Sequence, residues 1–178
     1  MPTRYRARKT AAVAYHEAGH AVAACLMRVP FTEVRITGSK GVAGYVALEG
    51  DAWPDWAVPV HPSYDRKRAR EYAAHNVCMT LAGPLAETLH TRCWQDLPMN
   101  EGDDEFCAWE LSEFLYPTRK QRSDWVNRLR FHTLETLQAV DVWAAVDAVA
   151  RELVIRKALD CATVYALVAA FCKRCGAR

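Results

Sequence analysis

Apolar and polar positions divide the chain into a few long helical stretches and one short β region. Ala11 to Met27 is largely apolar but interrupted by His16, Glu17 and His20. It predicts a helix from about Thr10, an N-cap residue type, to Arg28, with Pro30 just past its end. Phe31-Thr32-Glu33-Val34-Arg35-Ile36 alternates with period two and predicts a strand. A second strand, Val42 to Leu48, follows the turn Gly38-Ser39-Lys40-Gly41, and residues 50–64, rich in Pro and Trp, read as an irregular loop. A long helix starts near Ser63 or Asp65, with Ala73, Val77, Leu81, Leu85 and Leu89 forming an apolar stripe. Gly83-Pro84 inside it should kink or break it. After a loop of roughly ten residues, a third helix runs from Asp103 to Leu115 and stops at Tyr116-Pro117. The remainder is helical, with one face formed by Val142, Val146, Val149 and Leu153 and another by Val164, Leu167, Val168 and Phe171. The fold class is therefore mainly α (α+β): a helical domain with a small two- to three-stranded sheet.

The 178 residues fit a single domain, 1–178, with a core segment 10–115 and C-terminal helices over 118–178. A chain of this size buries roughly 70% of its unfolded surface and needs no disulfide to fold. Its net charge of +2 is nearly balanced, and Arg4, Arg6, Arg8 and Lys9 make the one concentrated basic tract. That tract reads as a solvated terminus, so no nucleic-acid partner is expected. Neither a membrane segment nor a signal peptide is expected, because the early apolar stretch carries His16, Glu17 and His20. The seven cysteines are scattered and read as reduced thiols, which predicts a cytoplasmic protein. Cys172 and Cys175 form a single Cys-x-x-Cys, and a zinc ribbon needs a second pair, so they read as two thiols on one helical face.

The chemistry concentrates in the first helix. Four-residue spacing places the His16 and His20 imidazoles on one face, one turn apart, where both can ligate one metal ion. Glu17 is rotated out of that pair, placed to take a proton from an activated water and pass it to a leaving amine. Chance alone yields such a motif in about one sequence of this composition in a hundred. The bland alternative is two core histidines beside a surface glutamate. Ala12, Gly19, Ala23 and Met27 share the histidines' face, so the imidazoles point inward and need polar partners. A metal supplies one partner for both.

A catalytic zinc takes three protein ligands and keeps its fourth position for water. Candidates for the third are Asp103, Asp104, Glu87, His61, His75 and His90. From Asp104 the helical walk meets Cys107, Ala108, Leu111 and Leu115, all apolar, which turns Asp104 inward. From Asp103 it meets Phe106, Cys107, Glu110 and Phe114, a mixed face, so Asp103 reads as an N-cap or first-turn acid. A one-residue shift of the helix exchanges these roles. Glu87 reads as structural or as orienting a ligand histidine. His75 and His90 read as solvent-facing or hydrogen-bonded, as does His61, although its loop, with Trp53 and Trp56, lies where it can approach the cleft. Trp94, Trp109, Trp125 and Trp143 read as core or cleft walls.

Ala14-Tyr15-His16-Glu17-Ala18-Gly19-His20-Ala21-Val22 closely resembles the zinc helix of the FtsH-type peptidases, the protease half of membrane-anchored AAA proteases. Val34-Arg35-Ile36-Thr37 and Ala43-Gly44-Tyr45-Val46 resemble the strand pair that follows that helix. Leu81-Ala82-Gly83-Pro84-Leu85-Ala86-Glu87 is similar to the family's Gly-Gly-Arg-x-Ala-Glu helix, and Gly102-Asp103-Asp104 with Ala108 to its Asn-Asp-x-x-x-Ala segment. The resemblance covers residues 10–115 and implies Asp104 as the third zinc ligand. Pro84 stands where the family has arginine and Asp103 where it has asparagine, and the loop from Asp51 to Tyr64 departs from its pattern. Neither a Gly-x-x-x-x-Gly-Lys-Ser/Thr loop nor a membrane anchor occurs in this sequence, so ATP-driven processive degradation is not expected of it.

The expected function is zinc-dependent endopeptidase activity on flexible or unfolded protein segments, with a peptide or protein as substrate and a separate ATPase or adaptor, or an oligomer, as possible company. The alternatives are a catalytically silent metal-binding regulatory module of the same fold, or a site-specific protease of one regulator. Val42, Gly44, Tyr45 and Val46 are expected to bind substrate as an added strand, Gly44 allowing close backbone approach.

Overall fold

The computed structural model describes residues 2–37, 44–49, 54–57, 61–93 and 103–172, with the backbone alone for 2–9 and Trp56. Helix α1 (Pro2–Met27) leads into strands β1 (Phe31–Ile36) and β2 (Gly44–Leu48) and a 3₁₀ turn at Asp55–Ala57. Helices α2 (Arg66–Thr91), α3 (Asp104–Glu113), α4 (Arg119–Gln138) and α5 (Val140–Arg156) follow, then β3 (Ala158–Asp160) and α6 (Cys161–Phe171). The architecture is mainly helical with a small antiparallel sheet of order β2-β1-β3. β1 is central, pairing Val34 with Val46 of β2 on one side and with Leu159 of β3 on the other. Among the described residues, β2 is therefore an edge strand.

The helices start where the sequence offers acceptors for their orphan amides. Asp65 accepts from the backbone of Lys67 and Arg68 at 3.0 Å each. Thr118 and Gln121 cap α4 reciprocally, and Asp160 accepts from Thr163 at 2.8 Å ahead of α6. The core is the crossing of α1, α2 and α5. Ala14, Ala18, Val22, Leu81, Val146 and Val149 are all fully buried there. From Glu17 to Cys25 α1 is buried on every side. Small residues make this possible: a Cβ on Gly19 would sit 2.4 Å from the Ala82 carbonyl oxygen and 2.6 Å from the Ala86 Cβ.

Several expectations are corrected. α1 begins at Pro2 rather than Thr10. Proline fits a helix's first turn, where its missing N–H has no partner to lose, and the Arg, Ala and Lys residues that follow favour helix. α2 runs unbroken through Gly83-Pro84. A proline removes one ladder bond, to the carbonyl of Thr80, but burial of the stripe on both sides of it holds the helix together. Thr88 Oγ1 donates to the Pro84 carbonyl at 2.7 Å, closing the next turn. In α6 the expected stripe is rotated: Val164, Val168 and Cys172 are fully buried while Phe171 is 45% exposed. The third strand is only three residues long, too short to show alternation, and forms because the second edge of β1 is open to it. Ile36 N–H also donates to the Lys157 carbonyl at 2.9 Å.

The expected positions Val42, Trp53, Trp94 and Cys175, and the turn 38–41, lie outside the described residues. No disulfide joins the six described cysteines. Among the described residues no helix is long and apolar enough to cross a membrane.

Candidate metal centre

The α1–α2 crossing turns His16 and His20 toward the first turn of α3. Each ring is fixed at its far nitrogen by a group that can only accept. His20 Nδ1 lies 2.9 Å from the Met79 carbonyl oxygen, and His16 Nδ1 lies 2.9 Å from Glu87 Oε2. Both Nδ1 atoms therefore donate, leaving both Nε2 atoms to face one another at 3.1 Å. Asp104 Oδ2 completes a triangle, 3.0 Å from His16 Nε2 and 3.3 Å from His20 Nε2.

The residues fit a zinc ion. Ligand bonds of about 2.0–2.2 Å in a tetrahedron put ligand atoms about 3.3–3.6 Å apart. The three observed edges are at or just below that separation, and two imidazoles with one carboxylate form a suitable donor set. Among the described residues this is the one group of His, Cys, Asp and Glu close enough to hold a metal.

The metal-free charge distribution reflects the same convergence. Burial pulls the His16 imidazole down, but the carboxylates of Asp104 and Glu87 outweigh it and raise its pKa to about 10. Burial pushes Asp104 up, yet hydrogen bonds to His16 and His20 hold it well below the usual carboxylate range. A proton on His16 thus occupies the electrostatic place of a cation. Glu87 is lowered chiefly by its bond to His16. Burial raises the Glu17 carboxyl, and the imidazoles of His20 and His16 only partly offset this.

Glu17 is 5% exposed and sits beside the triangle without joining it. A cleft of about 260 Å³ contains all four polar side chains and is walled by Gly44, Tyr45 and Val46 of β2 and by Met79 and Thr80 of α2. Two glycines make the packing possible. A Cβ on Gly44 would lie 2.5 Å from Glu17 Cγ and Oε1, and one on Gly83 would lie 2.1 Å from His20 Nε2.

The structure thus brings together His16, His20, Asp104, Glu17, Gly44, Tyr45 and Val46. Asp103 occupies the N-cap position of α3, but its side chain makes no capping hydrogen bond. The remaining histidines stay apart. His61 Nδ1 pairs with Ser63 Oγ at 2.7 Å, and His75 is exposed. His90 stacks on Tyr15 with ring centroids 3.7 Å apart, and Trp143 lies beyond at 5.7 Å from Tyr15. Trp125 is buried in the core and Trp109 is half-buried, and neither lines the cleft.

Sequence reasoning missed four contributors. Met79 acts through its carbonyl, which no side-chain pattern can reveal. Gly83 read as a helix breaker, whereas it clears space for His20. Arg130 of α4 makes a two-pronged ion pair with Glu105, next to Asp104, and Arg122 pairs with Glu113 at the other end of α3. α4 therefore holds the short helix that carries Asp104.

No protein-family model matches the chain, and no curated protein matches it.

Proposed function

We propose that this chain is a zinc metallopeptidase of the FtsH type, hydrolysing peptide bonds in flexible or unfolded protein segments. One observation carries the reading: three ligand atoms on a single point with Glu17 beside them, in a cleft open along an edge strand. His16, His20 and Asp104 would hold the ion, with Glu87 and Met79 fixing the two rings. When bound, zinc lowers the pKa of water toward neutrality and polarises a scissile carbonyl.

The chain's own residues supply the rest. The substrate lies along β2 as an added strand, hydrogen-bonding through its main chain, so selectivity along the strand is loose. Gly44 lets it approach without displacing Glu17. Glu17 takes the proton of the attacking water and delivers it to the leaving amine. Burial raises its carboxyl above the ordinary value, closer to neutral pH, which suits a group that must both accept and donate. The scattered cysteines, read as reduced thiols, suit the cytoplasm. An ATPase or adaptor that delivers unfolded substrate is the partner this reading proposes.

Metal analysis of the purified chain together with a casein cleavage assay tests the reading. One zinc per chain and chelator-sensitive cleavage are expected, and His16→Ala or His20→Ala abolishes both. Zinc retained in both variants would refute the site, and stoichiometric zinc without cleavage would refute the enzyme.

A further inference from the structure

A second cavity of about 510 Å³ adjoins the metal cleft, and Leu48, Met79, Thr80 and Asp104 line both. It is a trench between α2, α3 and the segment at Val29-Pro30. Its depth is set by buried residues, Val29 and Met79 at 6% and 7% exposure, with Asn76 and Thr80 at 8% each. Leu111 and Phe114 of α3 add apolar wall. Glu49 and Glu110 line it as well, and both are exposed, which places them at its mouth.

Among the described residues, the charged side chains of this trench are all carboxylates. Asn76 spends its Nδ2 on the Tyr72 carbonyl at 2.9 Å, and its Oδ1 accepts no hydrogen bond from the described residues. Thr80, on the next turn of the same face, makes no side-chain hydrogen bond with them either. The Asn76 oxygen is open to the trench, so an occupant that excludes water from it must donate to it or leave it unsatisfied at a cost. The mouth adds two carboxylates, and among the described residues no lysine, arginine or histidine lines the trench. An occupant must therefore combine an apolar stem, hydrogen-bond donors and positive charge. An acidic side chain would meet the like charge of Glu49, Glu110 and Asp104. A purely aliphatic one would fill the walls but bury the Asn76 oxygen unsatisfied.

We propose that this trench is a substrate side-chain site for arginine or lysine, beside the bond to be cut. The inference rests on the metallopeptidase reading for its catalytic consequence, but the binding itself does not need the metal. Backbone pairing along β2 then supplies general affinity, and the trench supplies the preference. The (CH₂) stem lies against Val29, Met79 and Leu111, while the head reaches Glu49, Glu110 and the Asn76 oxygen.

Cys107 lines the trench and Cys93 is exposed elsewhere, so one molecule holds both a reporter and its control. Alkylation of each thiol by iodoacetamide is followed by peptide mass mapping on the full-length, metal-free chain. The probes are alanine pentapeptides with a central arginine, norleucine or glutamate. The arginine peptide should slow Cys107 alkylation at least tenfold more than the other two and leave Cys93 unchanged. The double variant E49Q/E110Q should lose that protection while keeping its zinc. On the zinc-loaded chain, cleavage of the same series embedded in a longer flexible peptide should favour arginine by at least about tenfold. Equal protection by norleucine would overturn the proposal in favour of a plain apolar pocket, and so would Cys107 protection that survives E49Q/E110Q. Zinc binding and cleavage without any arginine preference would overturn it and leave the peptidase standing. Arginine protection in a chain that neither holds zinc nor cleaves would sustain the trench and remove the peptidase.

Discussion

Gly83→Ala separates the packing of the metal centre from its chemistry, because it alters no ligand. In the interior of a helix the substitution should help: alanine is about 0.8–1.0 kcal/mol more favourable than glycine. Here the new methyl would stand 2.1 Å from His20 Nε2 and 2.4 Å from its Cε1, well inside contact distance. The backbone of α2 cannot yield, since Leu81 and Ala82 on one side and Ala86 on the other are buried against α1. The imidazole must therefore rotate away. It then gives up the Met79 carbonyl at 2.9 Å, a bond worth about 0.5–1.5 kcal/mol net, which roughly cancels the helix gain. Folding stability of the metal-free chain should shift by less than about 1 kcal/mol. Zinc affinity should fall much further. Loss of an outer partner of a ligand typically costs about 10–100-fold. Displacing the ligand itself should cost at least about 100-fold, or about 2.8 kcal/mol. Competition against a chromophoric chelator measures the affinity, and a thermal melt of the metal-free chain measures the fold. Gly19→Ala is the counterpart. Its methyl meets the Ala82 carbonyl at 2.4 Å and lies outside the metal triangle, so the melt should drop with affinity nearly kept. Wild-type zinc affinity in Gly83→Ala would refute the idea that Gly83 exists to admit His20.

Glu17→Gln keeps the shape of the cleft and removes its base, so zinc content should hold while turnover falls by ~10²–10⁴-fold; an active Gln variant would sink the proton-transfer role. Asp104→Asn should lower zinc affinity and activity together, whereas Asp103→Asn should change stability by no more than a dipole contribution of about 0.3–1 kcal/mol with zinc retained; zinc titration showing the opposite pattern would reverse the two assignments. Arg130→Met removes the partner of Glu105 without touching the triangle, so zinc affinity should drop about 10-fold, with the charge-swapped pair Arg130→Glu/Glu105→Arg restoring it; no recovery in the swap would leave Arg130 a packing residue only. With His16 raised to about 10 from its ordinary 6.5, the protonated ring stabilises the metal-free fold fully below about pH 6.5, and that contribution is lost as pH rises through about 10. Zinc must displace this proton, so calorimetry in buffers of different ionisation enthalpy should register proton release at neutral pH; binding without release would show that His16 is already neutral there.

What the sequence settled by itself was local. Four-residue spacing on a helix puts His16 and His20 on one face whatever surrounds them, because 3.6 residues make a turn. The apolar walk from Asp104 through Ala108 turned that carboxylate, rather than Asp103, to the inner side of α3, since side-chain direction follows from position along a helix. The strand pair and the stripe of α2 were legible for the same reason: a period appears wherever one face is buried. What the tertiary structure decided was everything carried by groups without such a signature. The Met79 carbonyl that orients His20, the Glu105–Arg130 tie that holds α3, and the closeness of Glu87 to His16 across 71 residues depend on which helices cross and where. Gly83 shows the limit most sharply. Beside Pro84 it reads as a break, because local propensity has no knowledge of a neighbouring helix. In the folded chain α1 and α2 pack so closely that the helix holds and the missing side chain becomes the space for an imidazole.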